Sequence, residues 1–331
     1  MKRAIFIYNP YSGRKTRKKM KMVADFNRIE SIFKKYDYTV TFIKTKYSNH
    51  AREIVRDIDY IDLVISVGGD GTYNEVMTGN FERSKKLVLS HLPYGTTNDI
   101  GAMFGLGKNL YKNLELILSG EIRGIDIGLI NGMPFTYSAG FGKFMNIPYE
   151  TKRTMKTKIG RKAYILEALR DFFHSRASLY EITYEVDGEI YHGLYSFALI
   201  SNANRIAGIP NFYQNIKLDD GKFEVLFCNL TSRKDIIKSL LYLTTNNITK
   251  VPGFYFHKAK SLKIHFHDKL KKPWCLDGEK SDIDTNDFII TIEPNVPVLV
   301  PKKVIPSLFI GSDKNELWYF NGADYRKKWK K

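Results

Sequence analysis

Residues 61–74 read Ile61-Asp62-Leu63-Val64-Ile65-Ser66-Val67-Gly68-Gly69-Asp70-Gly71-Thr72-Tyr73-Asn74. An apolar run, expected as a strand over 62–67, empties into a glycine-rich turn that carries one acid and one hydroxyl. Helix-like sequence, Asn74-Glu75-Val76-Met77, follows. Glycine lets the backbone approach a ligand closely and adopt φ > 0, and a helix N-terminus adds partial positive charge. Such a stretch presents bare backbone N–H groups to a phosphate. Asp70 is the odd member, because a carboxylate beside phosphates repels them. It is tolerable there if it holds Mg²⁺, orients a loop or takes a proton. The plainer alternative is a tight strand-to-helix turn with no ligand. Two glycines, an acid, a third glycine and a threonine after an apolar strand argue against it.

The sequence around this turn alternates between strand and helix patterns. Residues 4–8 and 39–44 read as strands, being apolar, β-branched or aromatic, and 87–92 reads as another. A basic helix is expected over 17–35, with Met22, Phe26, Ile29 and Phe33 on one face. A short helix through Ile58 follows a cap at Ser48 or Asn49, and a helix over 109–118 ends at Gly120. Alternation of this kind implies a parallel sheet with helices on both faces. After Gly124 the character changes. Strands are expected over 125–130, 135–139, 180–186, 191–201, 223–229, 261–267 and 288–293, mostly separated by turns. Asp187-Gly188, Asp220-Gly221 and Asp277-Gly278 carry hairpin chemistry. Helices are expected over 162–174 and 233–243. The fold class is therefore α/β, with an open parallel, Rossmann-like domain over 1–124 and a mostly antiparallel, β-sandwich-like domain over 125–304. The segment 305–331 is expected to return to the first domain.

The bulk composition sets limits. At 331 residues, 43% hydrophobic and 26% charged, the chain is globular and long enough for two domains. A formal net charge of +17 calls for an anionic partner: nucleic acid, a membrane surface or a phosphorylated substrate. Two cysteines, Cys228 and Cys275, make neither a disulfide framework nor a CxxC metal pair, which fits a reducing, cytoplasmic setting. The basic start at Met1 runs into only a short apolar stretch, which reads as a first strand rather than a signal peptide. No stretch approaches the length that spans a bilayer.

Three loops follow candidate strands of the first domain: Asn9-Pro10-Tyr11-Ser12-Gly13, the Gly68–Asn74 turn, and Pro93-Tyr94-Gly95-Thr96-Thr97-Asn98-Asp99. In an open parallel sheet all three sit at the carboxyl edge, where ligands bind. The common fingerprints are absent. Gly107-Lys108 is followed by Asn109, so there is no GxxxxGK[ST], and Gly140 and Gly142 lack a third glycine. A P-loop NTPase and an ordinary dinucleotide-dependent dehydrogenase are disfavoured.

The three motifs, in this order, resemble the catalytic domain of diacylglycerol and sphingosine kinases, above all the soluble bacterial lipid kinases. A fourth, Leu276-Asp277-Gly278-Glu279, lies near the end of the β domain. A fifth, Lys217-Leu218-Asp219-Asp220-Gly221-Lys222, matches the region where bacterial members bind a structural Mg²⁺. The resemblance implies ATP between the domains, contacted by Asn9, Pro10, Tyr11, Ser12, Gly13, Thr45, Gly68, Gly69, Asp70, Gly71, Thr72, Tyr73, Asn74 and Thr96. It implies a structural metal at Lys217, Asp220 and Lys222, with the lysines acting through backbone carbonyls because a protonated lysine side chain cannot ligate Mg²⁺. It also implies Glu279 as proton acceptor with Asp277 beside it, and Asp70 in a catalytic role. On an extended segment, Asp277 and Glu279 point to the same side, so one can orient while the other accepts. The opposing reading is an ordinary Asp-Gly turn with solvated acids.

The leading expectation is thus a peripheral lipid kinase working with ATP and Mg²⁺ on a lipid alcohol, diacylglycerol first, at the inner face of an anionic membrane. The basic segment 152–162, with Lys152, Arg153, Lys156 and Lys158, is the expected docking surface. Its alternative is a solvated face. The same Gly-Gly-Asp-Gly-Thr loop also serves NAD kinases and sugar kinases, and a non-catalytic nucleotide-binding regulator would explain the charge. The regulator gives no reason for Asp70, Asp277 and Glu279 together. No nucleic-acid-binding motif is evident. His265 and His267 share a strand face but lack a third ligand, so structural roles are expected. The sequence leaves the oligomeric state open, a homodimer included.

Overall fold

The structure is a computed structural model. It describes residues 1–12, 25–95, 97–142, 178–206, 209–210, 212–213, 215–232, 252–270 and 273–310. Four strands open the chain: β1 (Lys2–Tyr8), β2 (Tyr38–Lys44), β3 (Leu63–Gly68) and β4 (Val88–Pro93). They pair in parallel in the order β2-β1-β3-β4. Between and after them lie α1 (Phe26–Lys35), α2 (His50–Asp57), α3 (Asp70–Phe81), α4 (Asp99–Met103) and α5 (Leu110–Leu118). Every residue of β3 is buried, as a parallel strand covered by helices on both faces demands. The strand order turns outward in opposite directions on the two sides of β1. The loops after β1 and β3 therefore flank a switch point, the place where an open α/β sheet binds ligands.

The remaining strands are β5 (Glu121–Ile130), β6 (Met133–Phe135), β7 (Ser138–Gly142), β8 (Tyr180–Val186), β9 (Glu189–Tyr195), β10 (Phe197–Ser201), β11 (Arg205–Ile206), β12 (Ile209–Pro210), β13 (Phe223–Cys228), β14 (Phe254–Ala259), β15 (Leu262–Phe266), β16 (Cys275–Leu276), β17 (Glu279–Lys280) and β18 (Asp287–Val300). The first sheet continues past β4 as β18-β15-β8-β9, with β5 paired on β18. A second, antiparallel sheet runs β14-β13-β10-β7-β16-β17. Phe141, Phe266, Trp274 and Phe288 pack against one another between the two sheets.

Strand β18 joins the two halves. Its first part pairs with β15, and Val298 lies opposite Leu89 of β4. The sequence pattern ends this strand at Glu293 because Pro294 follows. The chain instead carries a bulge between Glu293 and Val296, with Asn295 at φ +62°, and resumes pairing with β5. A bulge is where a strand accommodates proline. Strand β5 likewise starts at Glu121, ahead of the composition change, because Glu121–Arg123 pair with Val298–Val300. Past β18, a 3₁₀ turn and α6 (Ile305–Leu308) bury Val304, Ile305, Leu308 and Phe309 in the core of the parallel half. The expected helices over 162–174 and 233–243, and residues 311–331, lie outside the described residues.

Candidate active site

The three phosphate-loop candidates meet at the carboxyl edge of the parallel strands. Asn9 donates its side-chain N–H to Thr72 Oγ1 at 3.3 Å, and its own side-chain oxygen accepts from Tyr11 N at 2.9 Å. The loop after β4 lies directly on the loop after β3. Tyr94 N donates to Gly68 O at 2.5 Å, and a Cβ on Gly95 would run into the Gly69 backbone. Glycine at 95 is therefore required by close approach rather than by φ. Helix α3 begins at Asp70 with no side chain capping its first turn, so its N-terminus stays available to an anion.

Asp70 orients a loop. Its carboxylate accepts from Asp99 N at 3.1 Å and Ile100 N at 3.2 Å, the first amides of α4. Burial, then the nearby Asp99 carboxylate, outweigh these two hydrogen bonds and push the Asp70 pKa up to about 7. Asp99 is itself 2% exposed and pairs with Arg205 Nε at 3.0 Å, tying α4 to the second half of the chain. Asn98 sits at φ +55° and hydrogen-bonds Gly95 through both its side-chain oxygen and nitrogen, which closes the turn.

The β16–β17 hairpin brings the fourth motif to the same place, but not on an extended strand. Asp277 and Gly278 have φ +50° and +87°, a two-residue turn with both central residues left-handed. The two acids therefore diverge. Asp277 turns inward and accepts from Thr136 N at 2.5 Å, Tyr137 N at 2.9 Å, Ser138 N at 3.0 Å and Asn74 Nδ2 at 2.6 Å. Burial lifts its pKa above the ordinary carboxylate value, with the four hydrogen bonds pulling the other way. Glu279 stays exposed and faces α3: a Cβ on Gly71 would stand 3.9 Å from its carboxylate oxygen. Asp277 is thus a latch between the two halves, while the Glu279 carboxylate stays at the surface beside α3.

The structure places the other expected residues as follows. The Tyr73 side chain is fully buried, its ring 5.2 Å from that of His91, so only its backbone is left to face a phosphate. This follows from its position on the inner face of α3. Thr45 is buried at the end of β2, its N–H donating to Tyr8 O at 3.0 Å. Gly13, Thr96, Lys152, Arg153, Lys156 and Lys158 lie outside the described residues. His265 and His267 have non-metal partners, Asp287 at 2.8 Å and Thr183 at 2.9 Å.

At the Lys217–Lys222 turn the Asp220 carboxylate is taken by protein donors rather than open to a divalent ion. Lys217 Nζ donates to the carbonyls of Pro306, Ser307 and Phe309 at 3.0–3.3 Å. Both carboxylate oxygens of Asp220 have donors: Lys222 N at 3.0 Å and Lys258 Nζ at 2.6 Å. Among the described residues no group of three His, Cys, Asp or Glu side chains is placed to hold a metal. Asp99 stood in the quoted Asn-Asp motif without an assigned role. Tyr137, Arg205 and Lys258 gave no signal, because their partners lie on distant segments.

Comparison with known proteins agrees with this architecture. Residues 3–130 match the diacylglycerol kinase catalytic domain. The chain is 28% identical over 306 residues to a diacylglycerol kinase of Bacillus subtilis (strain 168), covering 92% of this chain and 98% of that one. It is 27% identical to a diacylglycerol kinase of Staphylococcus carnosus (strain TM300), covering 94% and 99%. A crystal structure of a diacylglycerol kinase from Bacillus anthracis (strain Sterne) superposes with a TM-score of 0.69 at 19% identity over 92% of this chain and 98% of that one, a likeness of fold. Its loops, its strand order, the match over residues 3–130 and its curated relatives together make the chain similar to diacylglycerol kinases over nearly its whole length.

Proposed function

We infer that the chain transfers the γ-phosphate of ATP to a lipid hydroxyl, with diacylglycerol, the substrate in its relatives' names, as first candidate. One observation carries the reading: Glu279, exposed and without a side-chain hydrogen-bond partner among the described residues, faces Gly71 at the uncapped start of α3, on a hairpin latched by Asp277 to Asn74. The first turn of α3, at Asp70 and Gly71, has no side-chain cap and suits a phosphate chain, with Asn9–Ser12 and Gly95 packed around it. ATP would supply the phosphoryl group, and Mg²⁺ would offset its charge. Within the site, Asp70 fixes the loop after β4 against the loop after β3, and Glu279 accepts the proton of the attacking hydroxyl. A transfer assay with labelled γ-phosphate over diacylglycerol, phosphatidylglycerol, ceramide, sphingosine and NAD tests this. Turnover on NAD alone, or on none of the five, would overturn it.

Asp70→Asn is expected to lower kcat by about 10²–10³-fold, since the loop it holds positions the phosphate chain. Its effect on stability has the opposite sense. A carboxyl whose folded pKa is raised to about 7 contributes stability below about pH 4, which is lost as pH rises through 7. Asparagine has no such charge to acquire. The melting temperature of Asp70→Asn relative to wild type should therefore rise between pH 5 and pH 8. A flat or falling difference, or near-normal turnover, would reduce Asp70 to a turn residue.

Among the described residues no helix is long and apolar enough to cross a membrane. A lipid substrate then requires docking from the surface, and the excess positive charge supplies it. Binding to vesicles containing phosphatidylglycerol is expected, with weak binding to neutral vesicles and loss by about half-molar salt, where screening extends only a few ångströms. Replacing Lys152, Arg153, Lys156 and Lys158 together with glutamine should weaken docking and spare ATP binding. Sedimentation with vesicles reads both. Equal binding to neutral and anionic vesicles would leave this basic segment a solvated face.

A further inference from the structure

We propose that Lys258 is a built-in cation that takes the place of a divalent ion at the turn between residues 217 and 222. The strand register prepares it: β13 and β14 pair antiparallel with Glu224 directly opposite Lys258. From there the ammonium reaches 2.6 Å from Asp220 Oδ2 and 3.5 Å from Glu224 Oε1. The pair is sheltered, with Asp220 12% and Glu224 2% exposed, while Lys258 keeps a third of its side chain in solvent.

Two neighbouring acids each accept a backbone amide. Asp126 accepts from Gly221 N at 2.6 Å, and Asp219 accepts from Ile310 N at 2.8 Å. Lys222 N takes the second oxygen of Asp220. The turn thereby ties three parts of the fold together: β5 through Asp126, the second sheet through Lys258, and the end of α6 through Asp219 and Lys217. A divalent cation in this position needs oxygen ligands that face it. Mg²⁺ in particular demands near-octahedral geometry and gives up its waters reluctantly. Here the one carboxylate that would lead such a set already has two donors. A tethered ammonium supplies the positive charge without a free ion, so this part of the fold does not depend on the magnesium concentration. The inference holds whatever the substrate is.

Thermal melting without nucleotide tests it, in EDTA and in excess MgCl₂. Metal content is measured after dialysis against magnesium-free buffer. For the wild-type chain the two melting temperatures should agree within about 1 °C, and no retained metal should be found. Lys258→Met should melt about 5 °C lower in EDTA, because it leaves Asp220 and Glu224 without their cation, and MgCl₂ should restore part of the loss. Lys258→Arg, which keeps the charge, should remain indifferent to magnesium. In Lys258→Met combined with Asp220→Asn, the magnesium response should disappear. Should Lys258→Met fail to fold, the wild-type and Lys258→Arg measurements still decide. One equivalent of retained metal in the wild-type chain, or several degrees of stabilisation by MgCl₂, would overturn the proposal. So would a Lys258→Met variant that melts like wild type.

Discussion

Glu279→Gln is expected to lower kcat for lipid phosphorylation by about 10²–10⁴-fold while nucleotide affinity and melting temperature stay at their wild-type values. The expectation rests on how differently the two acids of the β16–β17 hairpin are used. Glu279 is exposed and faces Gly71 at the start of α3. Glutamine has the same shape, so it should disturb neither the hairpin nor the helix N-terminus, yet its amide cannot take a proton from an alcohol. A fall in kcat with no change in nucleotide Kd is the signature of a group that acts on the acceptor side. If kcat stays within threefold of wild type, Glu279 is not the base. If nucleotide Kd rises tenfold, the side chain belongs to the nucleotide site instead.

The parallel half of the fold was legible because its signals are local. Strands β1–β4 are short apolar runs, and each of their loops announces itself by glycine next to hydroxyl or amide side chains. Helix α3 was visible only from Asn74 onward, because Gly68–Gly71 read as loop. In the structure it begins at Asp70, where the glycines leave its first turn uncapped. Strand β14 went unread, since Phe254–Ala259 mixes aromatic residues with histidine and lysine and shows no clean alternation. The second half of β18 was hidden by its two prolines, which a bulge accommodates. At the candidate site, the sequence puts Asp70, Asp277 and Glu279 forward, but not the opposite directions in which the last two point. That divergence depends on a left-handed turn at Asp277, and on amides of residues 136–138 that lie some 140 positions away. The Arg205–Asp99 and Lys258–Asp220 pairs were illegible for the same reason, as nothing in the spacing of a chain says which distant charge will meet which.

Asp277→Ala should give the largest loss of stability of any change at the site, about 3–5 kcal/mol, and should abolish turnover with it. The carboxylate is 5% exposed and accepts from four donors, two of them the buried amides of Thr136 and Ser138. Removing it strands those donors where water reaches poorly, and each stranded group costs about 1–3 kcal/mol. Alanine is also a poor residue for φ +50°, at a further cost of about 1–2 kcal/mol. Asp277→Asn separates the two effects. Asparagine tolerates the left-handed turn, and its side-chain oxygen can still serve Tyr137 N and Ser138 N, but its NH₂ group would face the Thr136 amide donor to donor. This variant should be milder in stability, about 1–3 kcal/mol, and still deficient in kcat. The Asn74–Asp277 contact it disturbs is what sets Glu279 over α3, and a shift of about an ångström in a catalytic group costs about a hundredfold in rate. Denaturant melts report the first effect and single-turnover transfer the second. An Asp277→Asn chain with wild-type turnover would show that the hairpin holds its place without the latch, and that Glu279 reaches the acceptor by another route.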